Sequence, residues 1–196
     1  MKGFLLVVSG AAGTGKGTII KKAMPKNDRL ILSVSATTRS PRAGEVEGES
    51  YFFISKDEFN KMVDMGEFLE HAYVHTDFYG TPRRKVEEEI LNGKIVVLEI
   101  DVQGAKEVVR KYENVVSIFI IPPSFDELEK RLRDRNSENE AEIERRMSNA
   151  RIEIGQLDSY DYVILNDDVE RCTEDFLSIV RAEMLRTDRE YYDKTR

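Results

Sequence analysis

Tryptophan is absent from the chain, cysteine occurs once, at Cys172, and histidine only twice. One thiol cannot close an intrachain disulfide, and two histidines without a cysteine pair leave no zinc-ligand spacing. A disulfide-stapled secreted domain and a zinc module are therefore excluded, and a reducing, cytoplasmic setting is expected. No apolar run approaches the ~20 residues that span a bilayer. A surplus of basic charge is also missing: 30 Lys and Arg stand against 37 Asp and Glu, a formal net charge of -7. Binding to nucleic acid or to an anionic membrane is thereby excluded as the main business of the chain, and any anionic ligand must be met by local basic groups.

What remains is enough for one domain, since 196 residues with 40% apolar content can bury a sizeable core. The opening MKGFLLVVSGAAG has the look of a short secretory leader. Its apolar run, Phe4 to Val8, is nevertheless shorter than the ~7 to 15 residues such leaders use, and the small residues after it fit another pattern.

Short aliphatic runs at Phe4 to Val8, Leu30 to Val34, Ile95 to Ile100, Val115 to Ile121 and Tyr162 to Leu165 alternate with amphipathic stretches of helical length. Runs apolar on both faces read as five buried parallel strands with crossover helices, an α/β fold. Ser55 with Glu58 and Ser124 with Glu127 mark helix starts, Thr81-Pro82 reads as a cap before a first-turn proline, and Asn92-Gly93 reads as a helix stop. Thr37 to Tyr79, rich in Gly, Arg, Glu and aromatics, interrupts the alternation and is read as an inserted small subdomain with strands near Tyr51 to Ile54 and Phe68 to Tyr73. The polar stretch Asp134 to Ala141 has the composition of a mobile flap.

Gly10-Ala11-Ala12-Gly13-Thr14-Gly15-Lys16-Gly17-Thr18 follows the first apolar run and precedes a helix expected over Thr18 to Met24. These are the flanks a P-loop requires, so all nine residues are assigned to ATP. Glycines let backbone N–H groups turn toward phosphates, and Lys16 reaches the β- and γ-phosphate oxygens. The strict pattern has Ser or Thr where Gly17 stands, so Thr18 supplies the only hydroxyl toward Mg2+, which is expected to be held mostly by phosphates and water.

Farther along, SVSATTRSPRAGE, with Gly48 and Tyr51 after it, strongly resembles guanylate kinases, and the resemblance extends through GEFLEHA, YGTP, LEIDVQGA, IPPS, RRMSNA and LNDD in the family's order and spacing. It implies a P-loop NTPase core (1–34, 83–130 and 155–196), a small mixed GMP-binding subdomain (35–82) and a helical lid (131–154). The residues agree with it: Arg39 and Arg42, three apart beside Pro41, can fork onto an acceptor phosphate. The family's pattern adds Tyr51 and Tyr79 to that phosphate, Glu70 as the reader of guanine, Ser35 and Thr81 as the accompanying hydroxyls, and Asp101 near the base. A carboxylate can accept from guanine N1–H and its exocyclic amino group together, a pattern adenine does not offer. Asp101 also suits magnesium through water, although guanine is the preferred reading. His71 and His75 are read as structural.

The resemblance further implies that Arg135 and Arg146 meet the transferred phosphoryl group and that Arg131 and Asn166 face adenine. The lid departs from the commoner family pattern in carrying Asn136 where a glycine usually follows the arginine. Asn166-Asp167-Asp168 equally suits the cap of a final helix. The expected activity is phosphorylation of GMP, and of dGMP, by ATP with Mg2+, in purine nucleotide metabolism. Two alternatives stand beside it: a non-catalytic guanylate-kinase-like interaction module, and a nucleoside monophosphate kinase of other base specificity. Monomer and homo-oligomer are not distinguished by the sequence.

Overall fold

The computed structural model describes residues 3–42, 44–74, 76–134 and 140–187. The first aliphatic run forms strand β1, Phe4–Ser9, buried along its whole length. Alternate side chains of a strand point to opposite faces, and β1 supplies two apolar clusters accordingly, one on each face. Phe4, Leu6 and Val8 pack with Ile19 and Ile20 of helix α1 (Lys16–Ala23) and with Phe176 and Val180 of the last helix. Leu5 and Val7 pack on the other face with Val86, Ala105 and Val108.

Strands β2 (Leu30–Leu32), β7 (Ile95–Glu99), β8 (Val115–Ile121) and β9 (Tyr162–Leu165) complete a five-stranded sheet in the order β2-β7-β1-β8-β9. Every pairing in it is parallel, as continuous apolar runs require. Between them lie α3 (Arg83–Leu91), α4 (Val102–Lys111), α5 (Phe125–Asp134) and α6 (Glu140–Ile154), and α7 (Val169–Met184) closes the described chain. The C-terminal ends of β1 and β7 open where an α/β sheet receives its ligands.

The inserted segment builds a second sheet from β3 (Ala36–Thr37), β4 (Phe52–Phe53), β5 (Phe68–Val74) and β6 (Asp77–Pro82), ordered β4-β3-β6-β5. It is mixed: β3 runs parallel to β4 and antiparallel to β6. Helix α2 (Lys56–Asp64) starts where Ser55 accepts from the N–H of Glu58 at 3.1 Å, as its capping signature predicts. Phe59 of α2, fully buried, stacks on Phe68 at 4.5 Å and on Phe78 at 5.3 Å. This aromatic trio is the separate core of the small sheet.

Two local expectations need correction. Helix α1 begins at Lys16 rather than Thr18, because Gly15 in the left-handed region (φ 91°) already turns the chain into it. Thr81 does not cap a helix: Thr81-Pro82 ends β6, Pro82 itself stands at the start of α3, and the Thr81 hydroxyl is committed to Glu70. The helix stop at Asn92-Gly93 holds, with Gly93 at φ 82°.

Because the small sheet has its own core, Phe59→Ala is expected to cost ~3 to 5 kcal/mol locally. Hydrogen exchange should then show the amides of β3 to β6 opening while those of β1 and β7 keep their protection; uniform loss across both sheets would contradict two separate cores.

Candidate active site

At the end of β1 the backbone takes positive φ at Gly10 (139°), Gly13 (89°) and Gly15 (91°). Side chains are also excluded there by contact. A Cβ on Gly10 would stand 2.3 Å from the Ile120 carbonyl oxygen, and one on Gly15 would stand 2.3 Å from Nδ2 of Asn166. The loop is braced from within, since the Thr14 hydroxyl donates to the Ala11 carbonyl at 2.8 Å. Lys16 extends its ammonium over the loop, donating to the carbonyls of Gly10 at 2.6 Å and Ala11 at 3.1 Å. The P-loop predicted from glycine spacing is thus formed, with Ala12, Gly17 and Thr18 on its outer part.

Asn166 braces the loop from behind. Its side chain is buried, and Nδ2 donates to the Thr14 carbonyl at 2.7 Å. The Oδ1 atom is a buried acceptor with no partner among the described residues. Arg131 of α5 donates to the Asn166 carbonyl at 3.0 Å and is paired with Glu127 at 2.9 Å. Leu128 and Leu132 of the same helix press against Gly13, so α5 and the P-loop are packed as one piece. Asp168, the last of the Asn-Asp-Asp triplet, accepts from the N–H of Arg171 and caps α7. Arg146 lies on α6 with Glu142 at 3.4 Å. Arg135, His75 and the flap residues 135–139 lie outside the described residues.

Across from the loop, Ser35, Tyr51 and Thr81 line a cavity of about 130 Å³ together with Leu32, Ser33, Ser50, Leu98, Glu99 and Ile100. The small sheet therefore faces the strand ends of the large one. Glu70 lies in β5, 7% exposed, and its Oε1 accepts from the Thr81 hydroxyl at 2.6 Å. Burial pushes this carboxyl up to about 6, the Thr81 hydroxyl works against that rise, and the charges of Asp101 and Glu107 add to it. Its Oε2 comes within 3.1 Å of the Cβ position of Gly104, which lets α4 sit against it. Asp101 accepts from the Gly104 N–H at 2.8 Å, capping α4 beside Glu70. His71 is exposed and meets Phe59 edge-on, in keeping with a structural role.

Arg39 and the two tyrosines come together as the motif predicted. The Arg39 guanidinium lies over the Tyr51 ring at 5.5 Å, and Tyr51 meets Tyr79 edge-on at 5.9 Å. The Arg39 fork is taken by Glu45, however, at 2.8 and 3.0 Å. Arg42 is exposed on the same loop.

Two acidic residues were missed in the sequence. Glu99 ends β7 with its carboxylate 3.3 Å from the Cβ position of Gly17, directly beside the P-loop; its place as the last residue of the strand next to β1 was the available signal. Glu153 of α6 is pushed up by burial, with the charge of Lys16 lowering it and that of Asp101 raising it. Nothing in its sequence context marked it. For magnesium, the Thr18 hydroxyl and the Glu99 carboxylate are hard oxygen donors of the right kind. Among the described residues no group of three Asp, Glu, His or Cys could hold a metal ion.

A P-loop at the end of the central strand, confronted across the strand ends by a small sheet carrying arginine, tyrosine and a buried glutamate, defines a P-loop nucleotide kinase. Comparison with known proteins narrows the class. The guanylate kinase family profile matches residues 2–183. A guanylate kinase of Clostridioides difficile (strain 630) is 48% identical over 188 residues, covering 96% of this chain and 92% of that protein. One of Caldanaerobacter subterraneus subsp. tengcongensis is likewise 48% identical, at 96% and 91% coverage. The crystal structure of guanylate kinase from Anaplasma phagocytophilum superposes with a TM-score of 0.77 at 38% identity, covering 96% of this chain and 89% of that one. The chain belongs to the guanylate kinase family.

The raised carboxyl of Glu70 gives a pH test. Ionised above about 6, it accepts hydrogen bonds on both oxygens; protonated below, one oxygen becomes a donor and the paired acceptor pattern is lost. KM for GMP should rise as pH falls through 6, more steeply than in Glu70→Gln, whose remaining pH dependence reports the phosphate of GMP itself. The sign for stability is opposite. A carboxyl raised in the fold favours the folded state more below its folded pKa than above it, so Glu70→Gln should melt no lower than wild type at pH 7.5. A lower melting temperature, or parallel KM profiles, would contradict the assignment.

Proposed function

We propose that this chain catalyses transfer of the terminal phosphoryl group of ATP to GMP, and to dGMP, yielding ADP and GDP or dGDP. The observation that carries the reading is the buried Glu70 carboxylate, clamped by Thr81 on one oxygen and set against the start of α4. Guanine offers two adjacent donors to such a group, and adenine would leave it unpaired. Ser35 stands ready to donate to the rest of the base edge, the Thr81 hydroxyl, whose proton goes to Glu70, keeps only its oxygen as an acceptor there, Asp101 lies at its side, and Arg39, Arg42, Tyr51 and Tyr79 take the phosphate.

On the donor side, the N–H groups of residues 10–18 and the Lys16 ammonium hold the ATP phosphates, and the unpaired Oδ1 of Asn166 suits the exocyclic amino group of adenine. Arg131 faces the same region. Magnesium, when bound with ATP, would supply neutralisation of charge on its phosphates. Thr18 and, through water, Glu99 are the side chains that would hold it.

The GMP phosphate oxygen is already an anion, so no general base is required. That oxygen forms the new bond to the γ-phosphorus as the bond to the β-phosphate bridging oxygen breaks, and ADP carries the electron pair away. Catalysis consists of alignment and charge neutralisation by Lys16 and Arg42, with Arg146 and Arg135 brought from the lid (131–154). Lid closure also excludes water, the competing acceptor. The cytoplasmic setting read from the lone cysteine belongs to this proposal, as does the division into core, GMP-binding segment 35–82 and lid.

A coupled assay across five monophosphates tests it. GMP and dGMP should exceed AMP, UMP and CMP by at least ~10³-fold in kcat/KM, because the losing bases leave buried groups unpaired. Lys16→Ala should abolish GDP formation, and Arg42→Ala should weaken acceptor use by ~1.5 to 3 kcal/mol. Phosphorylation of AMP at the rate of GMP, or no ATP-dependent product at all, would refute the proposal; the latter would favour an interaction module.

A further inference from the structure

Glu45 has no role in the reaction as described above, yet it organises the acceptor loop. Its carboxylate meets the Arg39 guanidinium end-on with two parallel hydrogen bonds, Nη2 to Oε1 at 2.8 Å and Nη1 to Oε2 at 3.0 Å. Oε2 also accepts from the backbone N–H of Arg42 at 2.7 Å, and the Glu45 N–H returns a bond to the Arg42 carbonyl at 3.1 Å. One side chain thus ties the guanidinium of the first arginine to the backbone of the second. The remaining Nη1 hydrogen bond goes to the Ser40 carbonyl at 2.8 Å. Below the plane of the guanidinium lie the rings of Tyr51 and Phe53, at 5.5 and 6.0 Å.

A guanidinium has two forks: the end formed by Nη1 and Nη2, and the side formed by Nε–H with the outer hydrogen of Nη2. Glu45 takes the end. The side is what remains, and its Nε is buried with no partner among the described residues. The Tyr79 hydroxyl lies beside the same guanidinium. A buried donor without a partner is costly, and here it sits among the groups read as phosphate ligands.

We propose that Glu45 is a positioning residue for the acceptor phosphate: by occupying the end fork of Arg39 and the N–H of Arg42, it presents the side fork, Nε–H and Nη2–H, to the GMP phosphate. The inference rests on the reading of Arg39 as a phosphate ligand. Glu45 is held ionised by these same contacts, its carboxyl lowered first by the Arg39 guanidinium and then by the Arg42 N–H. The alternative use of such a carboxylate, as an internal stand-in that competes with phosphate for Arg39, predicts the opposite effect of removing it.

Calorimetric titration of GMP into wild type, Glu45→Gln, Arg39→Ala and the double variant separates these cases, with the KM for ATP measured in parallel. Glu45→Gln is expected to weaken GMP about tenfold, the loss of one well-oriented charge-assisted hydrogen bond, and to leave the KM for ATP within about twofold. In the Arg39→Ala background the same change should weaken GMP less than about twofold, because the group it positions is gone. Unchanged or tighter GMP binding in Glu45→Gln overturns the proposal, as does an equal loss in both backgrounds. Should Arg39→Ala itself bind GMP like wild type, the phosphate-ligand reading of Arg39 fails first. If Glu45→Gln does not fold, as judged by its melting curve, Glu45→Asp replaces it: the shorter carboxylate keeps the charge but cannot span both contacts, and the same pattern of losses is expected.

Discussion

The turn that Gly10, Gly13 and Gly15 make between β1 and α1 is the constraint around which the rest of the site is arranged. Backbone N–H groups can converge on a phosphate chain only if the main chain takes positive φ at those points, and the space for it is set by neighbours that leave no room for a Cβ. Ile120 from β8, Leu128 and Leu132 from α5, and Asn166 from the end of β9 all press on this loop. The large sheet therefore serves as a rigid mount, and α5 is tied to the same loop through Arg131 and Asn166.

A chain with a net charge of -7 has to bind two anionic substrates. It does so by assigning its acidic residues near the site to specific work rather than by removing them. Glu45 is neutralised by Arg39 and leaves one edge of that arginine facing the phosphate ligands. Glu70 is buried against Thr81, where burial makes its charge costly. Glu99 stands at the P-loop beside Gly17, and the buried Glu153 carboxyl feels the charge of Lys16.

Much of this was legible in the residues. The five parallel strands followed from runs apolar on both faces, and the P-loop from glycines lying between such a run and a helix. Arg39 and Arg42 suited an acceptor phosphate by their own chemistry, whereas Glu70 taken alone reads as a solvated charge and was picked out only through the family resemblance. What could not be read depends on long-range contact. Thr81-Pro82 has the local chemistry of a helix cap, yet the tertiary partner of Thr81 is Glu70, 11 residues away. The brace between Asn166 and Thr14 joins residues 152 apart, and the service of Glu45 to Arg39 depends on a loop geometry that spacing does not encode. The arginine at 135 and the flap around it lie outside the described residues, so their part rests on the motif.

The account stands on two nucleotides meeting end to end between the P-loop and the small sheet. A two-headed ligand, adenosine and guanosine joined 5′ to 5′ through a polyphosphate bridge, probes that arrangement directly. Bridging both subsites, it should bind far more tightly than ADP or GMP alone, and its crystal complex should show guanine on Glu70 and the bridge running from Arg39 and Arg42 to Lys16. Binding no tighter than the single nucleotides, or guanine seated away from Glu70, would contradict it.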